Sequence, residues 1–234
     1  MQYFFSTDIL DDRIILSKLE SRHCIGVLRC KEGDIINIVD GLGNHFECQI
    51  TSANKSRVET KIVKTILSNI KNKSYIHIII APTKSSQRIE WFVEKAIEIG
   101  VDEISFISCA NSERKKINLD RINKIAITAM KQSLKSILPK INDLKKIKTV
   151  LNNISQSSKY IGYLGDSKSK SLSELASKDD SYCLLIGPEG DFTQVEFEYA
   201  LEKGFVSMSL GNSRLRTETA GISGCLILNN INYE

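Results

Sequence analysis

The chain is poor in the residues from which metal centres are built. Three histidines accompany six cysteines, and no two cysteines stand in a Cys-x-x-Cys pair, which argues against a zinc site. The cysteines (Cys24, Cys30, Cys48, Cys109, Cys183, Cys225) are dispersed, which fits a reducing compartment better than a disulfide framework. No apolar run has spanning length: Ile76 to Ile80 falls far below the ~20 residues a membrane helix needs. Met1 to Ser6 has neither a basic flank nor a signal-length apolar stretch, so a soluble cytoplasmic protein without membrane contact is expected. Gly-x-Gly-x-x-Gly and the Walker phosphate loop are both missing, and with them the best-known sequence devices for dinucleotides and nucleoside triphosphates. No Cys–His or Ser–His pairing points to covalent catalysis.

What is present is concentrated between Leu184 and Ala220. The apolar run Tyr182–Ile186 breaks into Gly187-Pro188-Glu189-Gly190, and a second short strand, Phe205 to Leu210, breaks into Gly211. Between them Thr193 and Glu196 have capping-box spacing, and Phe192 and Phe197 that of a hydrophobic staple. Gly204 stands where a left-handed helix terminator belongs. Strands that end in glycine-bearing loops beside helix starts are ligand sites in open α/β sheets. Gly187 and Gly190 would let backbone approach a flat ligand, and Pro188 fixes one torsion. A side chain added at Gly187 or Gly211 is expected to occupy that ligand's space. Each loop alone is an ordinary turn; their conjunction raises the functional reading.

The run Leu185-Ile186-Gly187-Pro188-Glu189-Gly190, then Leu210-Gly211 and Leu215-Arg216-Thr217-Glu218-Thr219-Ala220, closely resembles the C-terminal signature of the bacterial ribosomal RNA small-subunit methyltransferase E family. That family belongs to the knotted SPOUT class, and methylates N3 of a uridine in small-subunit (16S) ribosomal RNA with S-adenosylmethionine as donor. The resemblance implies an α/β protein: a PUA-like, RNA-binding β-barrel over residues 1–70, and a SPOUT domain over residues 71–234 with a parallel sheet and a deep trefoil knot. It also implies a homodimer. Cofactor-binding residues on this reading are Leu164, Gly165, Ile186, Gly187, Pro188, Glu189, Gly190, Leu210, Gly211, Leu215 and Thr217. Arg216 would bind phosphate or stabilise charge developing on the base; Glu218 would either orient Arg216 or act as the base. N3 lies on the Watson–Crick edge, so the uridine must be unpaired or flipped out.

Charge is unevenly spread. Residues 1–70 hold nine Lys+Arg and nine Asp+Glu; 71–150 hold sixteen against eight, net +8; 151–234 hold seven against eleven. A basic middle third is the footprint expected for a polyanion partner. A helix from about Leu119 to Ile137 would set Arg121, Lys124, Lys131 and Lys135 on one side, a stripe suited to phosphates. Lys84 and Arg88 match the family pattern and join these as RNA-binding candidates. Where the family usually has Glu-Gln-Ser-Gly-Arg, this chain has Lys131-Gln132-Ser133-Leu134-Lys135; where it has a second glycine after Gly190, this chain has Asp191. The fold is expected to tolerate Asp191, since a carboxylate suits a helix start.

Elsewhere the patterns are local. Ser17 caps a short helix through Leu28; Asp34–Asp40, His45–Ile50 and Val58–Ile62 read as strands; Thr65–Ser74 reads as a linker. Tyr75–Ala81, a helix Ile89–Ile99 stopped by Gly100, and Val101–Ser108 form a βαβ unit, hence a parallel sheet. Trp91 is expected in the core. From Pro139 to Lys159 the chain is polar, and Tyr160–Leu164 is a strand ending at Gly165. Two other readings stay open at this level: methylation of a transfer RNA, or a non-catalytic ribosome-assembly factor.

Overall fold

A computed structural model describes residues 2–67, 74–166 and 168–233, and within it the chain divides into two units. The first takes in Met1–Lys71 and Ile127–Leu138; the second, Asn72–Ala126 and Pro139–Glu234. The expected linker Thr65–Ser74, with its boundary between residues 70 and 71, lies mostly outside the described residues. Its first three residues, Thr65 to Leu67, belong instead to a strand.

The first unit is built from β1 (Tyr3–Phe5), β2 (Ile9–Leu10), β3 (Arg13–Ile15), α1 (Lys18–Arg22), a π-helical turn (His23–Val27), β4 (Ile35–Val39), β5 (Asn44–Asn54) and β6 (Arg57–Leu67). Among the described residues these strands form one six-stranded sheet, ordered β1-β4-β5-β6-β3-β2. Alternation along β4 and β5 sends Ile36, Ile38, Phe46, Cys48 and Ile50 inward, onto Phe4, Ile14 and Leu16. Ser17 caps α1 by accepting from Glu20 N at 3.3 Å.

The second unit contains β7 (Tyr75–Ile80), α2 (Ser86–Ile99), β8 (Glu103–Ser108), most of α3 (Leu119–Gln132), β9 (Lys140–Lys146), α4 (Ile147–Leu151), β10 (Ser158–Gly162), β11 (Lys170–Ser171), α5 (Leu172–Leu175), β12 (Ser181–Ile186), α6 (Gln194–Glu202), β13 (Val206–Ser209) and α7 (Thr217–Ile231). Its strands run β11-β13-β10-β12-β7-β8-β9, and every pairing is parallel. Both faces are covered, as parallel sheets require. Ile79, Ile107, Cys183 and Leu185 point toward α4 and α6 in one core; on the other face α7 packs on β7, β12 and α2. Contact there is close: a Cβ on Gly221 would meet the Phe92 ring at 2.6 Å, and one on Gly224 would meet Leu184 Cδ2 at 2.2 Å.

Two expectations are corrected, and elements appear in two stretches where none was read from the sequence. The helix read to Ile137 ends at Gln132 because Leu134 turns to φ +55°, so Lys135 lies beyond it. Trp91 is 45 % exposed; the buried side of α2 is Ile89, Phe92, Val93, Ala96 and Ile97, and Trp91 falls across the helix from it. The polar stretch after Pro139 holds an edge strand, β9, and α4; lysines suit an edge that must not pair further. Strands β1 to β3 were not expected at all.

Candidate functional site: three loops at the carboxyl edge of the parallel sheet

Strands β13, β10 and β12 are neighbours, so in a parallel arrangement their exits emerge side by side. The loops after them enclose a cavity of about 760 Å³, within the range that takes a drug-sized ligand.

The loop after β12 is held from several sides. Its turn closes with Asp191 N donating to Pro188 O at 2.9 Å. Glu189 accepts from Lys84 N at 3.0 Å, and Asn111 Nδ2 donates to the carbonyls of Gly190 and Asp191, each at 3.0 Å. The following helix has the full capping box between Thr193 and Glu196; Glu196 also accepts from Ala110 N at 2.8 Å. Phe192 and Phe197 share one core cluster, as their spacing predicted.

Asp191 has a larger part than its place in the sequence suggested. It adopts φ +59°, a left-handed conformation that Asp tolerates better than most residues. Its two carboxylate oxygens accept from Phe192 N at 2.8 Å and from Leu164 N at 3.0 Å. The second bond joins the loop after β12 to the loop after β10. The third loop is joined in turn: Thr217 Oγ1, buried, donates to Gly187 O at 3.0 Å. The three walls are thus tied by side chain to main chain.

Of the cofactor candidates, Leu164, Ile186, Gly187, Pro188, Glu189, Leu210, Gly211, Leu215 and Thr217 line the cavity, and Arg216 lines it too; Gly165, Gly190 and Glu218 do not. Leu164 is 63 % exposed, an apolar surface at the rim. Gly211 has φ +122° with open space where a Cβ would project. Gly187 differs from expectation: its Cβ would meet the Phe192 ring at 3.0 Å, so bulk there presses on the core and not into the cavity. Sequence reasoning missed Asp166, Ser169, Met208 and Asp191 as lining residues; Asp191 alone carried a signal, as a departure from the family pattern.

Glu218 is buried, its Oε1 lies 3.7 Å from Arg88 Nε, and its Oε2 has no hydrogen-bond partner among the described residues. Arg88, which lines the cavity, is therefore the cation beside Glu218. Cys109, next to Ala110, has its thiol pushed up to about 12 by burial and by Glu196. No group of three metal-ligating side chains occurs among the described residues.

The RNA-binding candidates are mostly paired. Arg121 forks onto Glu90 at 2.6 and 2.8 Å, which holds the Glu90 carboxyl below its usual range. Lys84 sits 3.0 Å from Glu113, and Lys131 2.5 Å from Glu20 within the first unit. Lys124 lies on α3, and Lys135 past its end, where its backbone N donates to Met130 O at 3.0 Å.

Residues 71–229 match the family described as RNA methyltransferase domain, and residues 16–63 match RNA methyltransferase PUA domain. The ribosomal RNA small subunit methyltransferase E of Buchnera aphidicola subsp. Acyrthosiphon pisum is 31 % identical over 212 residues, covering 87 % of this chain and 82 % of its own. A "probable rRNA-methyltransferase" from Porphyromonas gingivalis superposes with a TM-score of 0.93 at 38 % identity, covering 100 % of this chain and 99 % of that one. The ribosomal RNA small subunit methyltransferase E of Neisseria gonorrhoeae, solved bound to S-adenosyl methionine, shares the fold at TM-score 0.87 and 23 % identity, with 99 % and 98 % covered.

Proposed function

The chain belongs to the RNA methyltransferase family that includes ribosomal RNA small subunit methyltransferase E, and from that premise we propose that it methylates N3 of a uridine in small-subunit ribosomal RNA, using S-adenosylmethionine. The observation that carries this is the cavity where the exits of β10, β12 and β13 meet. Its volume, its exposed Leu164 and the open space at Gly211 suit a nucleoside. When bound, S-adenosylmethionine supplies an electrophilic methyl on a sulfonium. The chain's own work is to hold and orient: backbone of residues 187–189 and 210–215 forms the cradle, and Asp191 and Thr217 fix its walls.

The uridine imide must lose its N3 proton, and negative charge then spreads over the base. Arg216 and Arg88, both on the cavity wall, are the cations that meet that charge or an adjacent phosphate. Glu218, buried behind the wall, holds Arg88 in place. Lys84, Arg121 and Lys124 in the second unit, and Lys131 and Lys135 in the first, are the further phosphate-binding candidates on this reading; Lys84, Arg121 and Lys131 would first exchange their carboxylate partners for phosphate. The same membership supports the division at residue 70, a homodimer, a cytoplasmic site of action and a knotted C-terminal segment. No described helix is long and apolar enough to cross a membrane.

The test is mass mapping of methylated uridine in small-subunit ribosomal RNA from cells with and without this protein. The modification should disappear with the gene and return with the wild-type chain but not with Arg216→Ala. A small-subunit RNA unchanged by deletion, with a methylated nucleotide lost from transfer RNA, would move the activity to the other substrate class.

A further inference from the structure

The basic middle third has a net charge of +8, yet the α3 stripe does not present it freely: Arg121 is held by Glu90 and Lys131 by Glu20. The uncompensated cations lie elsewhere. Lys115 and Lys116 follow β8, and Lys145 and Lys146 close β9; all four are exposed, and among the described residues none is in an ion pair. Because every strand is parallel, Lys145 and Lys146 at the end of β9 lie on the sheet edge where the cavity opens, and the loop that carries Lys115 and Lys116 leaves β8 at that same edge.

The loop after β8 is fixed against that cavity's surroundings. Arg114 donates through Nε to Thr83 O at 2.9 Å and through a terminal nitrogen to Lys84 O at 2.5 Å. Asn111 of the same loop is bonded to Gly190 and Asp191. Lys115 and Lys116 therefore leave from an anchored point beside the β7 and β12 exits. Lys145 and Lys146 pair in register with Ile107 and Ser108 at the end of β8, so they continue the row one strand further. From β12 to β9 is three strand spacings, about 14 Å at ~4.8 Å each.

We propose that the RNA strand flanking the target base runs along the carboxyl edge of the sheet, from the cavity toward β9, with its phosphates held by Lys115, Lys116, Lys145 and Lys146. This rests on the RNA-methyltransferase reading above and adds the path the RNA takes. Lysine point charges on an edge give affinity without reading sequence; the base in the cavity does the discriminating.

The test compares the wild type with Lys115→Ala/Lys116→Ala, Lys145→Ala/Lys146→Ala and the quadruple variant. RNA affinity is measured at several salt concentrations on an unmodified small-subunit ribosomal RNA transcript and on a non-cognate single-stranded RNA. S-adenosylmethionine titration and thermal unfolding are run alongside. The quadruple variant should bind either RNA at least about tenfold more weakly at moderate salt and lose roughly 3 units of salt slope, at ~0.7 per phosphate contact. Donor affinity and unfolding temperature should stay at wild-type values. An unchanged slope in the quadruple variant would overturn the path. Wild-type failure to methylate the transcript would instead strike the functional reading, and the slopes on the non-cognate RNA would still decide the path.

Discussion

Thr217→Val offers the sharpest test of how the cavity is held together. The two side chains are nearly isosteric, so the change removes the hydroxyl that donates to Gly187 O at 3.0 Å and little else. Thr217 is 6 % exposed, so solvent does not readily replace the lost bond. A buried carbonyl deprived of its donor costs about 1–2 kcal/mol. For a chain of this size that is an unfolding temperature lower by roughly 3–6 °C. The bond joins two walls of the cavity, so the same energy sets a ceiling of about 30-fold on lost donor affinity. Thr217→Ser keeps the hydroxyl and should retain most of both. The measurements are calorimetric titration with S-adenosylmethionine and a thermal scan. Equal damage from Ser and Val would show that the methyl group matters and the hydrogen bond does not; no damage from Val would refute the tie.

Asp191→Gly should keep the backbone, since φ +59° suits glycine, but lose both acceptors; donor affinity should fall about 3- to 10-fold, and wild-type affinity in a titration would show that the loops need no such tie. Acid should destabilise the second unit. His77 is buried, which lowers its proton affinity, so below ~6.5 the unfolded chain takes up a proton that the folded chain does not. Glu103 opposes its own burial with hydrogen bonds from Lys140 at 2.8 Å, Tyr75 and Asn142, and its net shift is downward; it adds a second loss at still lower pH. Denaturant unfolding at pH 7.5 and 5.5 should show reduced stability at the lower value, and His77→Gln should flatten that difference.

Much of this was legible because it was local. The Thr193–Glu196 box, the Phe192–Phe197 contact and the left-handed Gly204 (φ +83°) all lie within a turn or two of chain. The βαβ spacing gave the parallel sheet, and the glycine-bearing strand exits marked three cavity walls. What stayed hidden joins distant positions or hangs on one backbone angle. Nothing near Asp191 announces a bond to Leu164, and nothing near Glu218 announces Arg88. Leu134 ended α3 in a conformation glycine would have signalled and leucine does not. Strand β9 escaped because an edge strand needs only one neighbour, and its lysines hid the alternation. Trp91 misled by composition alone: helix phase, not residue type, put it outside.

The close seating of α7 has a consequence for the chain as it is made. Gly221 rests against Phe92 and Ile80, and Gly224 against Leu184, while Thr217 supplies one of the ties across the cavity. A nascent chain halted before Thr217 has every strand of the sheet translated but lacks this helix and its tie. Leu184 and Phe92 would stay uncovered until α7 arrives. Competence to take up the methyl donor is thus postponed until α7 has been translated, after every described strand of the sheet.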